Sequence, residues 1–123
     1  MIELECPQEL HGDAHAAIAA CGLDDGHLAV ELVTPARIRE LNRDHRGIDE
    51  PTDVLAFPLD GSSSSAGPRE LGDVVICAEQ AHDLQEAVVH GILHLAGFDH
   101  ETDDGEMLAL QRRVLAGFAR PAG

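Results

Sequence analysis

A chain of 123 residues, 44% of them hydrophobic, is long enough for one buried core and too short for two ordinary domains, so a single domain over 1–123 is expected. Eight basic residues, all arginine, stand against 23 acidic ones, and the formal charge of −15 argues against a protein that coats nucleic acid through a uniformly basic surface. Three phenylalanines are the only Phe, Tyr or Trp residues, which argues against the aromatic stacking platforms many single-strand binders use.

Residues 2 to 6 read as a short strand and 8 to 21, rich in alanine, as a helix. HLAVELV at 27 to 33 alternates as a strand, Pro35 suits a helix start, and 35 to 45 fits a helix. Strands at 53 to 57 and 71 to 77 flank DGSSSSAGP, 60 to 68, which is expected to be a flexible loop. From Ala78 the pattern is helical through Ala96, with Leu84, Val88 and Leu95 on a buried face, and a last helix runs from about Asp103 to Phe118. Strands alternating with helices, about four strands in all, predict an α+β domain with a small mixed sheet packed with helices. Cys6, Cys21 and Cys77 are odd in number and not closely spaced, so they read as reduced, largely buried thiols. Without a leader-like start or an apolar run long enough to span a bilayer, a cytoplasmic location is expected.

The run HGILHLAGFDH, 90 to 100, places histidines at offsets of four and ten. Residues four apart on a helix lie about 6 Å apart along the axis on one face, so His90 and His94 can converge on one ion. A continuous helix would carry His100 about 15 Å beyond His90, yet a histidine nitrogen must come within about 2.1 Å of zinc. The helix must therefore end between them, and Gly97 stands where the chain has to turn. Three histidines leave a fourth tetrahedral position open, the mark of a catalytic zinc site rather than a structural one. The spacing is that of HExxHxxGxxH metallopeptidases, but Gly91 occupies the position of their general-base glutamate, which makes proteolysis a poor fit.

Taken with LNRDHRGIDEPTDVLAFPL at 41 to 59, LGDVVIC at 71 to 77, and Met107, Leu110 and Gln111 in the last helix, this motif resembles the YbeY family of bacterial rRNA-maturation endoribonucleases. The resemblance implies a zinc-dependent endoribonuclease specific for single-stranded RNA. It would act in 16S rRNA 3′-end maturation and ribosome quality control, with rRNA, the ribosome or ribosomal proteins as partners and no role for DNA or a membrane. One zinc ion is then implied on His90, His94 and His100, with Arg46 linked to RNA cleavage. A guanidinium is a permanently charged planar fork that can hold phosphate oxygens and offset charge developing on them. The segment between Cys77 and His90 is shorter than is typical of that family.

Other roles are open for these residues. Arg46 can instead form a surface ion pair with Asp44, Asp49 or Asp53, and Arg37, Arg39 and Arg43 can belong to a solvated amphipathic helix. Thr52 and Asp53 suit either the site or a turn, and Asp99 can orient an imidazole or begin the turn after the helix. The base is undetermined: water activated at the metal can attack phosphorus, or the RNA 2′-hydroxyl can attack with His45 or Glu101 accepting its proton. Against the nuclease stand a metal-stabilised, non-catalytic ribosome-assembly factor, in which Asp99 or Glu101 would fill the fourth position, and a divergent metallopeptidase.

Overall fold

The computed structural model describes residues 2–23, 26–58, 70–98 and 104–119. In chain order these form β1 (Ile2–Glu5), a 3-10 turn (Gln8–Leu10), α1 (His11–Ala20), β2 (Gly26–Leu32), α2 (Pro35–Arg46), β3 (Val54–Pro58), β4 (Glu70–Ile76), α3 (Leu84–Leu95) and α4 (Glu106–Ala119). The four strands make one mixed sheet in the order β1-β2-β4-β3, the α+β architecture expected. β1 and β4 each pair with β2 in parallel, and β3 runs antiparallel to β4 along the edge. Parallel neighbours cannot be joined by a tight turn, so α1 carries the chain from β1 to β2.

Both faces of the sheet are covered, and the strand alternation decides which side chain goes where. Val74 and Ile76 of β4 join the larger cluster with α1, α3 and α4, while Val75, Leu55 of β3 and Ile38 of α2 form a smaller cluster. Leu10 at the end of the 3-10 turn and Ala14, Ala17 and Ile18 of α1 form one buried stripe at helical spacing. α3 is the most enclosed helix: Ala87, Val88, Val89, Ile92 and Leu93 are at most 3% exposed, so its apolar side chains point inward on several sides. Burial of each large one contributes about 1.5–3 kcal/mol, which fixes the helix as a rigid platform.

Helix ends follow their side chains. Thr34 accepts a hydrogen bond from the Arg37 backbone N–H at 3.2 Å and Pro35 opens α2, while Gly47, at φ +74°, closes it. α3 departs from the expected span of Ala78 to Ala96. The Cys77 carbonyl accepts from Gln80 and Ala81 N–H in a separate turn, and Asp83 leaves helical geometry at φ −140° and ψ 114°. Its carboxylate then accepts from Gln85 and Glu86 N–H at 3.0 and 3.3 Å, so the helix begins at Leu84. Residues 60–68 lie outside the described residues. Among those described, no helix is long and apolar enough to cross a membrane.

Candidate functional site

α3 lies close against the sheet because Gly91 faces it. A Cβ on Gly91 would come within 2.5 Å of Val74 Cγ1 and 3.2 Å of Val54 Cγ2. The position that holds a glutamate in HExxH enzymes therefore has no room even for a methyl group unless the sheet shifts, and no catalytic carboxylate can stand there.

His90 and His94 occupy the opposite requirement: both are half-buried on one side of α3, with Nε2 atoms 3.1 Å apart and ring planes at 79°. Two nitrogens at that distance either share a proton or direct lone pairs at one cation. Nitrogens bound to a tetrahedral zinc at about 2.0–2.1 Å stand about 3.3–3.4 Å apart, so the two imidazoles fit a zinc ion with little movement. His90 is further held by Gln111 of α4, whose Oε1 lies 2.8 Å from His90 Nδ1. Gln111 is 8% exposed. An amide oxygen only accepts, which puts the ring proton on Nδ1 and leaves the Nε2 lone pair for the cleft.

The expected glycine stop is present in full. Gly97 takes φ +100°, its N–H donates to the His94 carbonyl at 3.0 Å, and Phe98 N–H donates to the Leu93 carbonyl at 3.1 Å. This pair of bonds is the Schellman closure, and it turns the chain away immediately after the second histidine. His100, with Asp99 and Glu101, lies outside the described residues, and among the described ones no three potential ligands gather on one point.

The histidines lie in a cleft of about 610 Å³. Arg46 and the Thr52–Asp53 turn line it from α2 and the following loop, Val54, Leu55 and Ala56 from β3, His82 and Asp83 from the segment before α3, and Glu86 from its first turn. Gly97 and Phe98 complete the lining. The sequence-identified Arg46, His90 and His94 are thus brought to one cavity, although Arg46 and His90 come from different helices and lie 44 residues apart in the chain.

The neighbouring arginines find carboxylates and, among the described residues, Arg46 does not. Arg37 pairs with Glu40, Arg39 with Asp49 at 2.8 Å, and Arg43 with Asp44 at 3.3 Å, all at exposed positions. The Arg39 guanidinium beside Asp49 holds that carboxyl below its ordinary range, chiefly through the hydrogen bond, and Arg39 is raised in turn. Asp53, the remaining candidate partner, accepts from Val54 N–H at 2.8 Å and from the Thr52 hydroxyl at 3.3 Å. Among the described residues Arg46 makes no ion pair, so its charge is available to an anion in the cleft. Thr52 and Asp53 serve both readings, forming a turn and lining the cavity.

His45 points elsewhere: its ring packs on Phe57 at 4.8 Å between centroids, and it is not among the cleft residues. Glu86, His82 and Gln111 are the side chains that the sequence did not bring forward as site residues. Glu86 was within reach, since it precedes His90 by one helical turn on the same face.

The description "Endoribonuclease YbeY" belongs to the family model that matches residues 8–119. Relatives carrying that name include one from Azorhizobium caulinodans, 42% identical over 85% of this chain and 76% of its own length. Another, from Alkalilimnicola ehrlichii, is 44% identical over 83% of this chain and 71% of its own. A third, from Sulfurovum, is 34% identical over 99% of this chain and 93% of its own length. Among solved structures, the solution structure of TM1509 from Thermotoga maritima matches 97% of this chain and 92% of its own, at 28% identity and a TM-score of 0.54. With the fold, the glycine-closed histidine helix and these matches in agreement over nearly the whole length, the chain belongs to the endoribonuclease YbeY family.

Proposed function

We propose that this protein is a zinc-dependent endoribonuclease that cleaves single-stranded RNA and acts in maturation of the 16S rRNA 3′ end and in ribosome quality control. The observation that carries this reading is the meeting of His90 and His94 Nε2 at 3.1 Å in the same cleft as an arginine without an ion pair among the described residues. The names of the relatives support RNA as substrate.

In this reading His90, His94 and His100 hold one zinc ion, which supplies a Lewis acid to polarise a phosphoryl oxygen or lower the pKa of water. Arg46, which lines the same cleft, would meet the phosphate there and offset the negative charge that grows on its oxygens. Of the described carboxylates lining the cleft, Asp53 and Asp83 accept backbone N–H groups, which leaves Glu86, one turn before His90, to receive a proton from the attacking oxygen, a role closed to residue 91 by the contact with Val74. That same contact weighs against a peptidase of the HExxH kind. A net charge of −15 limits general affinity for phosphate, so RNA binding is expected to be weak and sensitive to salt, with the ribosome supplying further contacts.

The test is cleavage of a labelled single-stranded RNA by protein of measured zinc content, beside His94→Ala and Arg46→Ala, at low and moderate salt. Wild-type cleavage lost in both folded variants, with zinc retained in Arg46→Ala, is the expected result. Equal cleavage by all three would mark a contaminant and remove the assignment. Zinc binding without cleavage by any of them would leave a metal-stabilised assembly factor.

A further inference from the structure

A histidine can carry its neutral proton on either nitrogen, and only the form with a bare Nε2 can bind a metal through that atom. In this chain the choice is made by α4. Gln111 sits four residues after Met107, which is fully buried, and three before Val114, 9% exposed, so the α4 core stripe carries the amide into the protein. There its Oε1 lies 2.8 Å from His90 Nδ1, and on the other side of the same ring Nε2 faces His94 Nε2 at 3.1 Å.

We propose that Gln111 is the positioning residue of the metal site: it holds His90 in the metal-binding tautomer, and its uncharged amide sets metal affinity below what a carboxylate in its place would give. The proposal rests on the reading of His90 and His94 as metal ligands. An oxygen that accepts the Nδ1 proton makes the opposite nitrogen a better donor to a cation, and a carboxylate does so more strongly than an amide. The carboxylate carries a cost when the cation is away, because a negative charge at a site only 8% exposed loses its hydration without a counter-ion. A glutamine avoids that cost, so the metal-free protein keeps its packing, at the expense of a tighter grip on the ion. α4 thereby takes part in the site although it supplies no ligand among the described residues.

The experiment is zinc affinity by competition with a chromogenic chelator, with thermal unfolding in excess EDTA and in excess zinc, for the wild type, Gln111→Leu and Gln111→Glu. Expected for Gln111→Leu is zinc binding weakened about 10- to 100-fold. Gln111→Glu should bind zinc more tightly than the wild type while melting at a lower temperature in EDTA, a crossing of effects that loss of packing cannot produce. It also keeps the idea open to refutation should Gln111→Leu fail to fold. Equal affinities in the folded variants would overturn the proposal and leave the metal site standing. Weakening in Gln111→Glu would mean that the amide donates to Nδ1 rather than accepting, which also overturns it. A wild type that binds no zinc would remove both this inference and the metal reading beneath it.

Discussion

Gly91 and Val74 are in such close register that the helix carrying the site histidines rests on the valine through a missing side chain, with only 2.5 Å left for a Cβ. Gly91→Ala should therefore destabilise the protein by about 1–3 kcal/mol through overpacking, even though alanine favours a helix by about 1 kcal/mol. Chemical denaturation would show it, and adding Val74→Ala should restore part of the loss. A stable Gly91→Ala single variant would mean that α3 stands off the sheet.

Glu86→Gln should lower RNA cleavage by about 10²- to 10⁴-fold while leaving zinc content and melting temperature near the wild-type values. His45→Ala should leave cleavage nearly unchanged, because that ring rests on Phe57 outside the cleft. Single-turnover rates decide between them. Full activity in Glu86→Gln would return the proton-accepting role to a group beyond the described residues.

Asp83 stops the preceding turn and starts α3 by accepting two backbone N–H groups. Asp83→Ala should cost about 1 kcal/mol, and Asp83→Asn or Asp83→Ser much less. The loss should appear in amide exchange first at Gln85 and Glu86, and an unchanged exchange profile there would speak against the cap.

Burial pushes the Cys21 thiol up to about 11 from an ordinary 9.0, so it stays protonated and slow to react at neutral pH. The protonated thiol is the form the fold favours. Its stabilising effect is thus complete below about pH 9 and fades as pH rises toward 11. Iodoacetamide labelling followed by peptide mass mapping should show Cys21 reacting appreciably only at the alkaline end, and Cys21→Ser should flatten the fall in melting temperature over that interval. Rapid labelling of Cys21 at pH 7 would contradict this environment.

Much of the site could be read from the chain because its geometry is local. His90 and His94 are four apart on one helix, and Gly97 stops that helix in the way its freedom at positive φ allows. The strands and α2 were legible for the same reason, with Thr34 before the helix, Pro35 at its first position and Gly47 after it. The sequence pattern alone starts α3 six residues too early, since Ala78 to Asp83 contain neither glycine nor proline to interrupt it, although Asp83 and Glu86 form a capping pair in sequence. Arg46 was identified through resemblance. Its lack of an ion pair among the described residues depends on where Asp44, Asp49 and Asp53 point, which only the folded chain decides. Gln111 lies 21 residues from His90, and no periodicity links the two.

β4 sits between two partners, parallel to one and antiparallel to the other, and its alternation divides Val74 and Ile76 from Val75 across the sheet. A slip of one residue in the direction that puts residue 73 in the place of 74 would bring the exposed Asp73 into the slot under Gly91 and turn each valine toward the wrong layer. Such a mistake could not persist unnoticed, because a carboxylate would press against the backbone of the histidine helix. The tight seat that keeps a side chain off residue 91 therefore also disfavours that misalignment of the central strand.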